Sequence, residues 1–434
     1  MSEILKILHT IPTFWPALRW GGPILALTEL TQEQVRQGHE VTVLTTDLDV
    51  DGRSNVPLRQ PVMMQGVQVW YSPAIRSHGL DYASFTGQFL KANLHNFEVV
   101  HVHSLFSWTP TVSAFWALRR RIPYIVRPAG ALGSMCLAKP YEKPLRAFVS
   151  RTKKWAYFRT LSRMVLDRAS ALHFCTEQER SEAQALGLEA PSVIVPLGVA
   201  APATKTIDSG ASLRKRFPVL QNRPIVLYLA RLDRIKGLDL LIRALGDLVR
   251  SGCEFGFVVA GDGPETYRRE MLSLVEREGI APFTFFLGPI FGENKQQILR
   301  EADLFALTSH HENFGVAILE AMAAGLPVLI SRNVAIHDEV VRGGAGICTG
   351  LAPSEIASGL KTLLESKTLR DQMGNRGRQL VNQRFAWPRV AEQLTDVYRH
   401  LINAGPSGES HTAKQEADSV RGSVGKRYDK AANA

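Results

Sequence analysis

The chain has no apolar run approaching the roughly 18 residues that a bilayer-spanning helix needs. It also has no Cys-x-x-Cys pair. Its four cysteines, Cys136, Cys175, Cys253 and Cys348, stand far apart. That spacing argues against a cysteine-paired zinc site and a disulfide frame, and it fits a reducing compartment. The start has no basic stretch followed by a long apolar core. It runs directly into the strand-like Ile4-Leu5-Lys6-Ile7-Leu8, so no signal peptide is expected. The expected location is cytoplasmic, with at most peripheral attachment to the inner face of the cell membrane. No zinc-finger, RNP-type or helix-turn-helix signature is present, so nucleic acid is not an expected partner. The first strand is not followed by Gly-x-Gly-x-x-Gly, which disfavours a dehydrogenase.

What is present is an ordinary globular composition, 45% hydrophobic and 21% charged over 434 residues. That length suits two domains better than one. The net charge of +10 is local: thirteen Lys and Arg against two acidic residues lie between Arg119 and Arg168. Within and beside this stretch, Arg127, Lys139, Lys143, Arg146, Lys153 and Lys154 are interleaved with aromatics such as Trp155. Such a segment can meet an anionic acceptor or lie on an anionic bilayer, although a solvated helix face would have the same composition.

Short β-rich runs alternate with helical ones. Val41–Thr45, Val67–Tyr71, Val99–His103, Tyr124–Arg127 and Ala171–Thr176 read as strands, and Leu25–Gln37 as a helix. After the polar stretch Ala200–Ser212 the rhythm restarts with Ile225–Ala230. This alternation implies parallel, doubly wound sheets. The expected organisation is a first Rossmann-like domain over 1–199, a linker over 200–212 and a second Rossmann-like domain over 213–385. Trp387, Val390, Leu394, Val397, Tyr398 and Leu401 recur at helical spacing, so 386–404 should form a helix returning to the first domain. Residues 405–434 have almost no apolar content and should be disordered.

Three segments of the second half carry groups suited to a phosphorylated ligand. Glu312-Asn313-Phe314-Gly315-Val316 precedes an apolar helical run that contains Glu320. A helix beginning near Gly315 would direct the free amides of Phe314, Gly315 and Val316 at an anion. The two carboxylates would repel phosphate and suit sugar hydroxyls instead. Arg231 and Lys236 follow a strand and offer a bidentate fork and a point charge. Gly261 and Gly263 form a tight turn after another strand. In doubly wound sheets, ligands bind at that edge.

The combination resembles the retaining glycosyltransferase family 4, whose members have the GT-B fold, over nearly the whole chain to about residue 400. The most specific element is Glu-x7-Glu with its Phe-Gly-Val insert. The resemblance implies two Rossmann-like domains facing across a cleft, the first acceptor-binding and the second nucleotide-sugar-binding, with a nucleotide-diphosphate sugar as donor. It assigns Arg231 and Lys236 to the diphosphate, Glu312 to the donor sugar, Glu320 to the ribose and Gly288 with its following loop to the base. In the first domain, Gly21 and Gly22 of Arg19-Trp20-Gly21-Gly22-Pro23 match the family's glycine loop near the donor phosphate. His103 of Val99-Val100-His101-Val102-His103 matches its active-site histidine. Two departures are Leu197-Gly198-Val199, where Asn-Gly-Val is usual, and Ala129 in Arg127-Pro128-Ala129-Gly130, a position often polar or basic. The implied reaction is retaining transfer to an acceptor hydroxyl, on a glycan or a lipid-linked carrier, as in cell-surface polysaccharide or glycolipid assembly. With Arg231, Lys236 and helix amides to carry the charge, no metal or other cofactor is expected. A sugar-nucleotide epimerase or hydrolase of the same fold, and a non-catalytic nucleic-acid- or membrane-binding protein, are the alternatives.

Overall fold

The computed structural model describes residues 3–17, 21–50, 52–77, 80–133, 152, 154–188, 190–200 and 212–405. Arg19, Trp20, Lys139, Lys143, Arg146, Lys153, nearly all of the expected linker and the expected tail from 406 onward lie outside these. The chain divides into two compact units, Met1–Val195 with Ala391–Ala434, and Pro196–Val390.

The first unit is built on an eight-stranded sheet. Its strands are β1 (Lys6–Thr13), β2 (Glu40–Thr46), β3 (Pro61–Met64), β4 (Val67–Ser72), β5 (Val99–His103), β6 (Tyr124–Arg127), β7 (Ala171–Phe174) and β8 (Ser192–Ile194). Their spatial order is β8-β7-β6-β5-β1-β2-β4-β3. All neighbours are parallel except β3 and β4. Every residue of β5, β6 and β7 is buried, as expected of parallel strands covered on both faces.

The second unit holds six parallel strands: β9 (Ile225–Leu229), β10 (Gly256–Ala260), β11 (Thr284–Gly288), β12 (Leu304–Leu307), β13 (Val328–Ser331) and β14 (Gly346–Thr349). Their order is β11-β10-β9-β12-β13-β14, which is the doubly wound pattern 3-2-1-4-5-6. The helix Leu238–Arg250 covers it with Leu238, Leu241, Ile242, Leu245 and Leu248, all buried and spaced by three or four residues.

Two helices depart from their sequence expectation. The first begins at Gly22 rather than Leu25, because Pro23 is tolerated in a first turn whose amides have no intrahelical partner. The last spans Trp387–Ala404. Its buried stripe comprises Trp387, Val390, Leu394, Tyr398 and Leu401, joined by Ala391 and Thr395, whereas Val397 is only half-buried. Thr395 faces His39, and Tyr398 reaches His101, so from Ala391 onward this helix completes the core of the first unit.

At the carboxyl edge of the second sheet, loops approach closer than a side chain would permit. A Cβ on Gly261, whose φ is +148°, would lie 1.8 Å from the Ala230 carbonyl oxygen. Gly261→Ala is expected to force β9 and β10 apart and cost ~2 kcal/mol, in the range for overpacking. Thermal denaturation of the full chain checks this; an unchanged melting temperature would contradict it.

Candidate functional site

In the second unit the loops after four strands are tied together. Gly261 N–H, after β10, donates to the Gly288 carbonyl at the end of β11 (2.8 Å), and Leu232 N–H, after β9, donates to the Asp262 carbonyl (2.8 Å). His310 N–H, after β12, donates to the Ile235 carbonyl (2.7 Å), and the Thr308 hydroxyl donates to the Gly237 carbonyl (2.7 Å). Strands β9 and β12 are neighbours whose chains wind away in opposite directions, so this is the switch point of the sheet.

Glu312 and Lys236 meet there. Lys236 closes a short 3-10 turn, Arg234–Lys236, capped by Asp233, whose carboxylate accepts from Ile235 N–H. Its ammonium is hydrogen-bonded to the Glu312 carboxylate, and both side chains are mostly buried. Glu312 is itself fixed by its backbone: its N–H donates to Asn333 O (3.1 Å) and its carbonyl accepts from Ala335 N–H (2.9 Å).

The helix Val316–Ala324 starts just beyond, with Gly315 left-handed at φ 84° and no side chain capping its first turn. The Phe314 ring is buried and packs edge-on against Phe385, 6.1 Å between centroids, so only its backbone could serve a ligand. Glu320 lies on this helix and accepts a 2.6 Å hydrogen bond from Lys295, of the helix Gly292–Glu301. Arg231 is well exposed, with the Asp233 carboxylate 3.9 Å away. Arg234, by contrast, is held by Glu270. The edge therefore offers an exposed guanidinium, two lysine–glutamate pairs and a helix N-terminus. Together these groups can receive an anion flanked by hydroxyls.

The sequence reading brought Arg231, Lys236, Gly261, Gly263, Gly288, Glu312, Phe314, Gly315, Val316 and Glu320 to this edge. It missed Lys295. A lone lysine in a polar helix carries no motif, and only the packing of its helix reveals its partner. It also passed over Asp47-Leu48-Asp49, an Asp-x-Asp in the first unit. These carboxylates serve a local turn: Asp47 accepts from Ala74 N–H (2.8 Å) and Arg53 (3.3 Å), and Asp49 from Val50 N–H (2.7 Å) and the Ser54 hydroxyl (3.2 Å).

The first unit has its own switch point, between β1 and β5. Gly21 caps the helix Gly22–Arg36 with a left-handed φ of 83°. On β1, β5 and β7, His9, His101, His103 and His173 are all buried, with His103 at the end of its strand. Parallel register sets His9 beside His101, and Arg127 beside His103. Hydrogen bonds link His9 to Gln34 (2.8 Å) and to His103 (2.9 Å), His101 to Tyr398 (2.7 Å) and to His173 (3.2 Å), and His173 to the Val195 carbonyl (2.8 Å). Burial, reinforced by the positive charge of Arg127, pushes His9 down to about 4 and His173 to about 3. Burial first, and then the neighbouring imidazoles and Arg127, hold His101 and His103 well below the usual imidazole range. All four are neutral at pH 7. One nitrogen each of His9, His101 and His103 lie within 4.8 Å of one another, close enough to suggest a metal centre. Both nitrogens of His9 and both of His101 are already hydrogen-bonded, however, so a metal would have to displace those partners.

The basic segment is described only in part. Arg127 is buried, 3% exposed at the end of β6. It cannot belong to a membrane-facing surface, which corrects its grouping with the cations that follow; β6 is an inner strand, flanked by β5 and β7 and buried along its length. Lys154 lies over the Phe106 ring, and Trp155 is exposed and edge-on to Phe158.

Two doubly wound sheets, each with polar groups gathered at its switch point, define an α/β enzyme of two Rossmann-like units. The sequence matches the family described as Glycosyl transferase 4-like domain over residues 21–198 and that described as Glycosyl transferases group 1 over residues 211–380. The chain belongs to the group 1 glycosyltransferases and has their GT-B fold. It is 26% identical over 428 residues to the D-inositol 3-phosphate glycosyltransferase of Xylanimonas cellulosilytica, covering 92% of this chain and 96% of that one. Sucrose-phosphate synthase from Thermosynechococcus elongatus superimposes with a TM-score of 0.71 at 17% identity, over 92% of this chain and 100% of that one. Anabaena Alr3699/HepE in complex with UDP and glucose gives 0.69 at 21% identity, over 91% and 100%.

Lys295→Ala would leave the Glu320 carboxylate part-buried and unpaired. A loss of ~1–3 kcal/mol is expected, the range for orphaning a buried polar group, with Lys295→Arg retaining most of the stability. Urea unfolding measures it, and equal midpoints for wild type and Lys295→Ala would rule out a structural role for the pair.

Proposed function

We propose that this glycosyltransferase moves a sugar from a nucleotide-diphosphate donor to an acceptor hydroxyl with retention of anomeric configuration. The observation that carries this reading is the contact of Lys236 with Glu312 at the switch point, beside the uncapped helix that begins at Val316. The HepE neighbour, whose complex holds UDP and glucose, supports a donor of the same class.

Arg231 and Lys236 neutralise the leaving diphosphate, with the amides of Phe314, Gly315 and Val316 on its other side. Glu312 takes hydroxyls of the donor sugar and Glu320 those of the ribose, and the turns at Gly261, Gly263 and Gly288 admit the rest of the nucleotide. In the first unit, Gly21 and Gly22 let backbone approach an oxyanion, and His103 takes a sugar hydroxyl. The bond from the anomeric carbon to the diphosphate oxygen breaks as positive charge builds on that carbon. The acceptor hydroxyl then attacks from the face the diphosphate leaves, and its proton passes to the departing phosphate oxygen. No protein base and no metal is needed on this route, since side-chain cations and amide dipoles carry the developing charge.

Arg231→Ala and Lys236→Ala should each remove ~3 kcal/mol of transition-state stabilisation, the scale for losing one preorganised donor. The donor is found first by thermal shift with UDP-, GDP- and ADP-sugars, since binding to the native state raises its melting temperature. Wild-type turnover in either variant would refute the diphosphate assignment. Glu312→Ala should lower mainly kcat, and Glu320→Ala should raise mainly KM for the donor; the opposite split would exchange their roles.

The acceptor is a glycan or lipid-linked hydroxyl presented at the inner face of the cell membrane, in polysaccharide or glycolipid assembly. Exposed Trp155, among the cations of its segment, supports peripheral contact with anionic lipid. Flotation with liposomes containing phosphatidylserine at low salt should carry the protein upward, and neutral liposomes should not. Failure to float with either would remove the membrane from this reading.

A further inference from the structure

The histidines of the first unit form a circuit whose hydrogens can be placed one after another. The Val195 carbonyl only accepts, so His173 carries its hydrogen on Nε2. Neutral His173 then has a bare Nδ1, and His101 Nε2, 3.2 Å away, must donate to it. His101 is left with a bare Nδ1, to which the Tyr398 hydroxyl donates at 2.7 Å. With its one hydrogen used, the Tyr398 oxygen can only accept. The Gln34 amide nitrogen falls short of a well-formed hydrogen bond there. Gln34 nevertheless stands close enough to Tyr398 to oppose the rise in its hydroxyl pKa. Beside an oxygen that only accepts, the amide must present its NH2 end. Its other end, Oε1, accepts from His9 Nε2 at 2.8 Å. His9 Nδ1 is therefore bare, and His103 Nε2 donates to it at 2.9 Å. His103 Nδ1 remains, buried and with no hydrogen-bond partner among the described residues. Reversing any link sets two lone pairs or two hydrogens against each other further along.

We propose that two hydrogen-bonded runs, one from the Val195 carbonyl through His173 and His101 to Tyr398 and the other from Gln34 through His9 to His103, act together to lock His103 in one tautomer. The bare Nδ1 of that tautomer takes a hydrogen from a substrate hydroxyl and cannot offer one. His9, Gln34 and Tyr398 are then positioning residues, and the carboxyl-terminal helix sets the chemistry of a strand end nearly three hundred residues earlier in sequence. The substrate half of this inference rests on the assignment of His103 to a sugar hydroxyl; the tautomer half does not.

The test uses the full chain labelled with ¹⁵N-histidine, in which ¹H–¹⁵N correlations through the ring distinguish protonated from bare nitrogens. His103→Gln identifies the relevant signals. Wild type should show His103 with Nε2 protonated and Nδ1 bare; a protonated Nδ1, or an equal mixture, overturns the proposal. Tyr398→Phe removes a single oxygen atom and releases Gln34 to turn over, so His103 should become a mixture of tautomers. Release of nucleoside diphosphate, from whichever of UDP-, GDP- or ADP-glucose stabilises the protein, should fall on the order of tenfold, with KM little changed. Gln34→Met breaks the chain at another point and should behave alike, which covers a failure of the tyrosine variant to fold. An unchanged His103 spectrum in either variant overturns the relay. A mixed tautomer with undiminished turnover keeps the relay but removes His103 from the substrate, so the two halves fail separately.

Discussion

A parallel strand cannot turn back directly on its neighbour; it must cross over through a helix. When a sheet winds outward in both directions from its first strand, two adjacent carboxyl ends are left with their loops diverging. That constraint shapes everything functional in this protein. In the second unit it falls between β9 and β12, where the turn carrying Lys236 meets the loop carrying Glu312. The helix after Glu312 has to begin there, so its free amides arrive at the same place without any dedicated binding loop.

The first unit meets the same constraint with different chemistry. Its switch point is filled by imidazoles instead of ion pairs, and burial keeps them neutral. Neutral imidazoles are directional: each must give at one nitrogen and accept at the other. A buried group of them therefore transmits orientation from link to link, whereas a lysine–glutamate pair transmits charge and leaves direction loose. The protein thus sets electrostatic strength in one unit and hydrogen-bond polarity in the other. Arg127, buried beside His103 in register, helps to keep that polarity by opposing protonation of its neighbours.

Much of this was legible in one dimension. The strands Val99–His103 and Tyr124–Arg127 have the expected bounds, because buried parallel strands are short, rich in β-branched and aromatic residues and sharply ended by polar ones. Arg231, Lys236 and Glu312 stand beside strand and helix ends that the pattern itself marks, and Glu320 lies inside the helix that follows Glu312. Side-chain partners were less visible than the elements that carry them. Lys295 belongs to a helix with polar residues on most of its surface, and Asp47-Leu48-Asp49 shows that a motif's letters can serve a turn.

The sequence alone determined which groups stand at the ends of strands, since hydrophobic period and turn residues act over a few positions. Tertiary structure alone decided which of those groups touch. Lys295 meets Glu320 because two helices pack together, and His101 meets Tyr398 because a late helix closes a core whose strands lie far earlier in sequence. Such contacts are set by close packing between elements far apart in sequence, and no local periodicity encodes them.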